Sequence, residues 1–404
     1  MARILAYTSP ARGHLFPIVD LILECRRRGH DVEVHGLASQ VPALLAAGLD
    51  AHPLAPEIEA APLDDARAFT ALGALRRVVA TFLKRAPHEV RSLREVLAAR
   101  RPDLLLVDIN TLGAAALAEV SGIPWAMFSP YLLPLPSRDA PPFGLGLAPG
   151  KGALFRVRDA AVLAVTRAAL ADLTKPLNAM RRDLGASALE HAVDFPLPAP
   201  RLLMLTSEHF EYPHSDWPSS IHFCGPGLWQ PPFELPAYAT EPGSPFVLVT
   251  LSSEAQGDER MLEVALEALA ELPYRVVASS AAHAPERFKA PANARVERFL
   301  PHDAILPQAA AVICHGGMGI TQRALSHGVP VCVVPHGRDQ LEVGRRVERA
   351  QAGQVLSPRR VNASALRRAF ELTVSCRAGA QGVARDFREN GGPRVAAARL
   401  LECL

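Results

Sequence analysis

Residues 315–340, HGGMGITQRALSHGVPVCVVPHGRDQ, follow directly on an apolar run, Ala311-Val312-Ile313-Cys314, that predicts a buried parallel strand. Gly316, Gly317 and Gly319 come at once. Residues 320–327 then predict a helix, stopped by Gly328 with Pro330 two positions on. A second short strand is expected at 331–334. Strand, glycine turn and helix start together make an anion cradle. Glycines let the backbone approach closely, and the unpaired amides of a helix N-terminus favour negative charge. Glycines alone do not carry this reading, because many tight strand-to-helix turns contain them. His315 at the strand end, Thr321 in the first helical turn, and Asp339-Gln340 beyond the second strand narrow it.

At 404 residues the chain is too long for one ordinary core and fits two domains of about 200 residues each. With 43 basic and 41 acidic residues, its charge argues against nucleic acid or an anionic membrane as partner. The arginine runs at 26–28, 181–182 and 345–346 are expected on solvated helix faces. Six cysteines show no C-x-x-C and no zinc-type spacing. Cys25, Cys314 and Cys332 sit in apolar runs and are expected as small core residues of a reduced, cytoplasmic protein. The opening MARILAYTSP reads as a strand and not as a signal peptide. No apolar run reaches the roughly 18 residues of a membrane helix.

In chain order, residues 2–8 predict a strand. A helix follows, with Pro17 near its first turn, Arg26, Arg27 and Arg28 in its last, and Gly29 as the stop. The loop between carries Gly13-His14. Residues 31–36 are the second strand of this βαβ opening. DLLLVD, 103–108, is a buried strand ending in a carboxylate, at the strand end that faces the ligand crevice of an α/β sheet. Strands are expected at 124–129, 202–206 and 221–225, whereas 63–85 and 137–175 have no strict sheet role. Residues 226–245 hold six prolines and no apolar periodicity, so they read as a linker. FVLVTL, 246–251, restarts an α/β pattern. Past Gln340, a helix at 341–350, a strand at 353–356 and helices at 365–375 and 393–404 complete it. The expected fold class is α/β with two Rossmann-like domains of parallel strands. They are 1–225 and 246–380, joined by the linker 226–245 and followed by a C-terminal helical segment, 381–404.

These residues resemble the donor-binding signature of family 1 glycosyltransferases, which have the glycosyltransferase-B fold, and among them the bacterial enzymes that glycosylate antibiotics and other natural products. The resemblance spans essentially the whole chain. It is specific in 315–340, good around Gly13-His14, Pro17 and Arg28-Gly29-His30, and generic between 111 and 201. It implies two sheets facing across a cleft, an acceptor-binding N-terminal domain, a nucleotide-sugar-binding C-terminal domain, and a last helix returning to the first. His14 is implied as the catalytic base, with Asp108 orienting it. Ser253, His315, Gly316, Gly317, Gly319 and Thr321 are implied around the diphosphate, and Arg298, Phe299 and Leu300 at the nucleobase. Asp339 and Gln340 are implied on the sugar hydroxyls. Gly13 with Phe69, Phe82, Phe128, Tyr131 and Phe143 are candidates for an apolar acceptor pocket, although core packing is the commoner fate of each aromatic. Three departures stand out. Ser252 replaces a glycine in Thr250-Leu251-Ser252-Ser253, the stacking tryptophan of plant enzymes is absent, and Val343-Gly344 replaces a frequent Asn-Ala.

Inverting glycosyl transfer is one displacement at the anomeric carbon. It needs a base for the acceptor hydroxyl and charge stabilisation for the departing diphosphate. Histidine suits the first task because it changes charge near neutral pH. Fixed donors around His315 suit the second without a metal, and no Asp-x-Asp motif is present. The expected activity is metal-independent transfer of a hexose from a UDP- or dTDP-sugar, glucose favoured, to a hydroxyl of a hydrophobic polyketide or macrolide. No cofactor is expected beyond the nucleotide-sugar co-substrate, and the protein is expected as a monomer or homodimer. A deoxysugar transferase, a nucleotide-sugar epimerase, an inactive nucleotide-binding partner protein and a nucleotide-binding regulator are the alternatives.

Overall fold

The computed structural model describes every residue except 66, 67, 69, 235, 240–242 and 255. The chain divides into two compact units. One comprises Met1–Glu208, Tyr212–Pro231 and Asn390–Leu404; the other comprises His209–Glu211 and Pro232–Glu389.

The first unit is built on seven strands: β1 (Arg3–Tyr7), β2 (Asp31–Gly36), β3 (Asp50–Pro53), β4 (Leu104–Asp108), β5 (Trp125–Ser129), β6 (Leu202–Met204) and β7 (Ile221–Phe223). Their order is β3-β2-β1-β4-β5-β6-β7, and every pair is parallel. The winding reverses between β1 and β4, the place where such sheets open a crevice. Tyr7 pairs with Val107 there, so the loop leaving β1 and the end of β4 are neighbours.

Helix Arg12–Arg27 buries Leu15, Ile18, Val19, Ile22 and Cys25 on one face of the sheet. It packs among Ile4, Val34, Ala396 and Leu400, the last two from helix Pro393–Leu401. Gly29, at φ 86°, makes the left-handed turn that ends it. The helix starts at Arg12, so Gly13 and His14 lie in its first turn and not in the preceding loop.

The other face is covered by helices Ala71–Ala99, Leu112–Val120 and Ala153–Leu184. Thr70 caps the first, its hydroxyl oxygen accepting from the Gly73 amide. The first two cross at backbone contact, because a Cβ on Gly113 would lie 2.1 Å from the Ala86 carbonyl oxygen. The two long helices occupy the stretches without a sheet role. Each carries an internal proline, Pro87 or Pro176, which masks its length in the sequence.

The second unit has six parallel strands: β8 (Phe246–Thr250), β9 (Arg275–Ser279), β10 (Ala294–Glu297), β11 (Ala309–Cys314), β12 (Val331–Val333) and β13 (Gly353–Val355). Their order is β10-β9-β8-β11-β12-β13. Here the reversal falls between β8 and β11, where Thr250 pairs with Cys314. Helices Glu259–Leu269, Met318–Ser326, Gln340–Arg349, Ala363–Ser375 and Arg377–Glu389 surround the sheet. β3, β9, β10 and three of the helices, Leu112–Val120, Glu259–Leu269 and Arg377–Glu389, were not expected from sequence.

Two arginines correct the expectation of solvated runs. Arg181 is 3 % exposed and pairs with Glu119 at 2.6 Å. Arg346 is 5 % exposed, with Glu211 at 2.5 Å and Glu342 at 3.1 Å. Arg26, Arg27 and Arg28 are exposed as expected. All six cysteines are free, and Cys25, Cys224, Cys314 and Cys332 are buried. Among the described residues, no helix is long and apolar enough to cross a membrane.

Candidate active site

In the first unit, β1 feeds the helix that carries His14 and the adjacent β4 ends in Asp108. The parallel pairing of these strands brings together two side chains 94 positions apart. His14 Nδ1 lies 2.9 and 3.1 Å from the Asp108 carboxylate oxygens. Asp108 is fully buried and also accepts the amides of Ser9, at 2.9 Å, and Asn110, at 2.8 Å. Burial by itself would raise the pKa of this carboxyl. The charge and hydrogen bond of His14 and the two amides outweigh that and hold it below its ordinary 3.8. An ionised carboxylate only accepts, so Nδ1 carries the proton and Nε2 of a neutral ring has a lone pair.

That lone pair meets Asn110, whose Nδ2 is 3.0 Å from Nε2. Tyr131 donates its phenol hydrogen to Asn110 Oδ1 at 2.9 Å, and its ring lies 5.5 Å from the His14 ring. Asn110 was missed in the sequence, although its place two residues past a strand-end carboxylate was a usable signal. A second carboxyl, Glu89, is buried nearby and accepts the Gly113 amide at 2.8 Å. Burial, reinforced by the Asp108 charge and opposed by the amides of Gly113 and Ala114 and by Arg85, pushes it up to about 8. It is therefore mostly protonated at neutral pH.

The other proposed acceptor residues divide. Gly13 is exposed, and Tyr131 and Phe143 are half-buried. Phe82 and Phe128 are 4 % and 0 % exposed and belong to the two cores of this unit, so they do not line an open pocket. Phe69 lies outside the described residues.

In the second unit the glycine turn sits at the end of β11. Gly316 has φ 91°, and a Cβ there would meet Val333 Cγ1 at 2.5 Å, so only glycine fits. A Cβ on Gly317 would lie 2.4 Å from His315 Nε2, since the histidine ring folds over that residue. Gly319 is exposed with nothing within 4 Å of such a Cβ. Burial, helped by the charges of His336 and Arg338 and opposed by Asp258 and the Thr250 carbonyl, pulls His315 down to about 4. In the site without a ligand it is a neutral hydrogen-bonding ring. The helix begins at Met318, two residues earlier than expected, so the amides of Met318, Gly319 and Ile320 are the first-turn donors. Thr321 then lies past the first-turn amides, among the buried residues of this helix. Its side chain, implied beside the diphosphate, is fully buried next to the Cys314 thiol.

The loop after β8 adjoins this turn. The Ser252 amide donates to Asp258 at 2.7 Å, and Ser252 Oγ accepts from the Glu254 amide at 3.2 Å. Ser252 is absent from the residues at positive φ, so its backbone conformation does not require glycine. Ser253 is exposed. Asp339 is half-buried and precedes helix Gln340–Arg349. Gln340 is turned inward. Its Oε1 accepts from the amides of His336, at 2.7 Å, and Gly337, at 3.1 Å, and its Nε2 donates to Gln256 at 2.8 Å. After β10, Arg298 is exposed, Phe299 is 44 % exposed and Leu300 is buried. Asp258, Glu259 and His283, none foreseen, bring their ligand atoms within 4.8 Å of one another.

Residues 263–402 match the family described as erythromycin biosynthesis protein CIII-like, C-terminal domain. The 4'-demethylrebeccamycin synthase of Lentzea aerocolonigenes is 32% identical over 387 residues, covering 92% of this chain and 92% of that protein. A PGL/p-HBAD biosynthesis rhamnosyltransferase of Mycobacterium bovis (strain BCG / Pasteur 1173P2) is 30% identical over 333 residues, covering 78% of this chain and 69% of the relative. Among solved structures, the glycotransferase of kitacinnamycin superposes with a TM-score of 0.78 at 25% identity, covering 100% of this chain and 99% of that one. The glycosyltransferase VinC in complex with dTDP superposes with a TM-score of 0.73 at 22% identity, covering 99% of both chains. With two parallel Rossmann-like sheets, the glycine turn and this likeness over nearly its whole length, the chain belongs to the bacterial natural-product glycosyltransferases of the glycosyltransferase-B fold.

Proposed function

We propose that the protein transfers a hexose, glucose by preference, from a UDP- or dTDP-sugar to a hydroxyl of a hydrophobic natural product of the polyketide or macrolide type, with inversion. In this reading the first unit takes the acceptor and the second unit the nucleotide sugar. The observation that carries it is the His14–Asp108 pair at the switch point of the first sheet. Its imidazole holds a lone pair at Nε2, backed by a buried carboxylate that stabilises the positive charge gained on proton abstraction. At the switch point of the second sheet, the first-turn amides past Gly317, neutral His315 and exposed Ser253 are fixed donors for the departing diphosphate. The test is mass spectrometry of a panel of polyketide, macrolide and flavonoid acceptors incubated with UDP- and dTDP-sugars. No mass shift with any pair would count against the whole reading.

A second reading, a deoxysugar donor, is favoured by two observations. Gln340 already holds protein partners, and a rhamnosyltransferase is among the relatives. A glucose preference is tested at Asp339, where one hydrogen bond from a sugar hydroxyl to the carboxylate is worth about 1.5–3 kcal/mol, or roughly 10–150-fold. In a competition among UDP-glucose, dTDP-glucose and a dTDP-dideoxyhexose, the glucose donors are expected to lead by about that factor. The lead should vanish in Asp339→Ala. Preference for the dideoxy donor in wild type selects the second reading.

Activity is expected to survive excess EDTA, because protein donors serve the leaving group. Among the described residues, the Asp258–Glu259–His283 cluster is a group that could hold a divalent ion. Turnover lost to chelator and restored by Mg²⁺ or Mn²⁺ would reject the metal-independent mechanism.

A further inference from the structure

We propose that Asn110, steered by Tyr131, is a positioning residue that keeps Nε2 of His14 unprotonated and occupies its lone pair until an acceptor hydroxyl takes the amide's place. The proposal rests on the reading of His14 as base. The Asp108 carboxylate takes the Nδ1 hydrogen, so a neutral ring offers only a lone pair at Nε2, and the group 3.0 Å away must donate. That group is the amide nitrogen of Asn110. Its oxygen accepts from the Tyr131 phenol at 2.9 Å. The donors therefore run one way, Tyr131 to Asn110 to His14, while His14 donates to Asp108 through its other nitrogen. An imidazolium would need an acceptor at Nε2, and the amide would have to turn over.

The parts of this chain are fixed. Asn110 is 8 % exposed and its backbone amide is tied to Asp108. Ser129 Oγ donates to the Tyr131 carbonyl at 2.7 Å. Among the described residues, the titratable groups seen against the ring are Asp108 from β4 and Tyr131 beyond β5, with Glu89 close enough to Asp108 for their charges to interact. In the reaction, the acceptor O–H replaces the amide N–H at Nε2. Its proton passes to Nε2 as its oxygen bonds the anomeric carbon, and the bond from that carbon to the diphosphate oxygen breaks. The turned amide then offers Oδ1 to the new N–H.

Asn110→Asp is the decisive variant, because it keeps the shape and puts a carboxylate against Nε2. An opposite charge at that distance favours the protonated ring by about 1–3 pH units. The acid limb of kcat/KM, measured with the best acceptor of the panel, should move up by about that amount, with a loss at pH 7 of up to about 10–10³-fold and recovery at higher pH. Asn110→Ala and Tyr131→Phe should move it the same way by less. A second arm uses the protein alone: ¹⁵N-histidine NMR follows protonation of the His14 ring against pH, and its midpoint should rise in the same order. An unmoved acid limb and an unmoved midpoint in Asn110→Asp would overturn the proposal. Activity retained in His14→Ala would instead sink the base reading, with the NMR arm still judging Asn110.

Discussion

Replacing His14 with alanine is expected to lower turnover by about 10²–10⁴-fold, the usual worth of a positioned general base, while nucleotide affinity stays nearly unchanged. The two halves of this expectation have separate origins. His14 and its partners Asp108, Asn110 and Tyr131 all belong to the first unit, whereas the glycine turn and the loop after β8 belong to the second. Initial rates by mass spectrometry and calorimetric titration with UDP and dTDP read the two halves independently. A variant that retains above about half of wild-type turnover places the base elsewhere. Asp108→Asn is the graded control. Losing the carboxylate removes imidazolium stabilisation and frees the tautomer, but leaves the ring in place, so its loss should be smaller than that of His14→Ala.

The largest stability effect is expected at Arg346. Its guanidinium is 5 % exposed and lies between Glu211 and Glu342, themselves 1 % and 2 % exposed. Removing it leaves two buried carboxylates without their cation, which costs about 3–5 kcal/mol. Arg346→Ala should therefore open helix Gln340–Arg349, and with it the segment that carries Asp339. All three tryptophans, Trp125, Trp217 and Trp229, lie in the first unit, so their fluorescence does not report on this one. Native-state hydrogen exchange of the 340–349 amides does. Adding Glu211→Gln and Glu342→Gln to the variant should recover most of the loss, because the uncompensated charges are then gone. A cost below about 1 kcal/mol for Arg346→Ala would mean that water reaches the pair and solvates it.

Local chemistry made much of the fold legible. Alternation of short β-type runs with amphipathic helices indicates parallel sheets, and Gly29 and Gly328, both left-handed, end helices where the sequence placed the stops. β2 is found at the residues expected. Gly316 was legible as part of a glycine-rich turn, and the structure supplies the reason for it, a positive φ and a contact with Val333 that admit no side chain. Helices Ala71–Ala99 and Ala153–Leu184 were only partly read, because an internal proline weakens a periodicity that tertiary packing overrides.

The sequence by itself determined the class of fold, the strand-end positions of Asp108 and His315, and the glycine turn, because each depends on residues near in the chain. Only the tertiary structure decided what those side chains touch. It alone brought His14, Asp108, Asn110 and Tyr131 into one hydrogen-bonded line, through the β1–β4 register. It turned Gln340 inward onto His336 and Gln256, buried Thr321 beside Cys314, and buried Arg346 against Glu211, 135 positions away. Those outcomes follow from desolvation and from which strands lie side by side, and neither quantity is written in any local stretch of the chain.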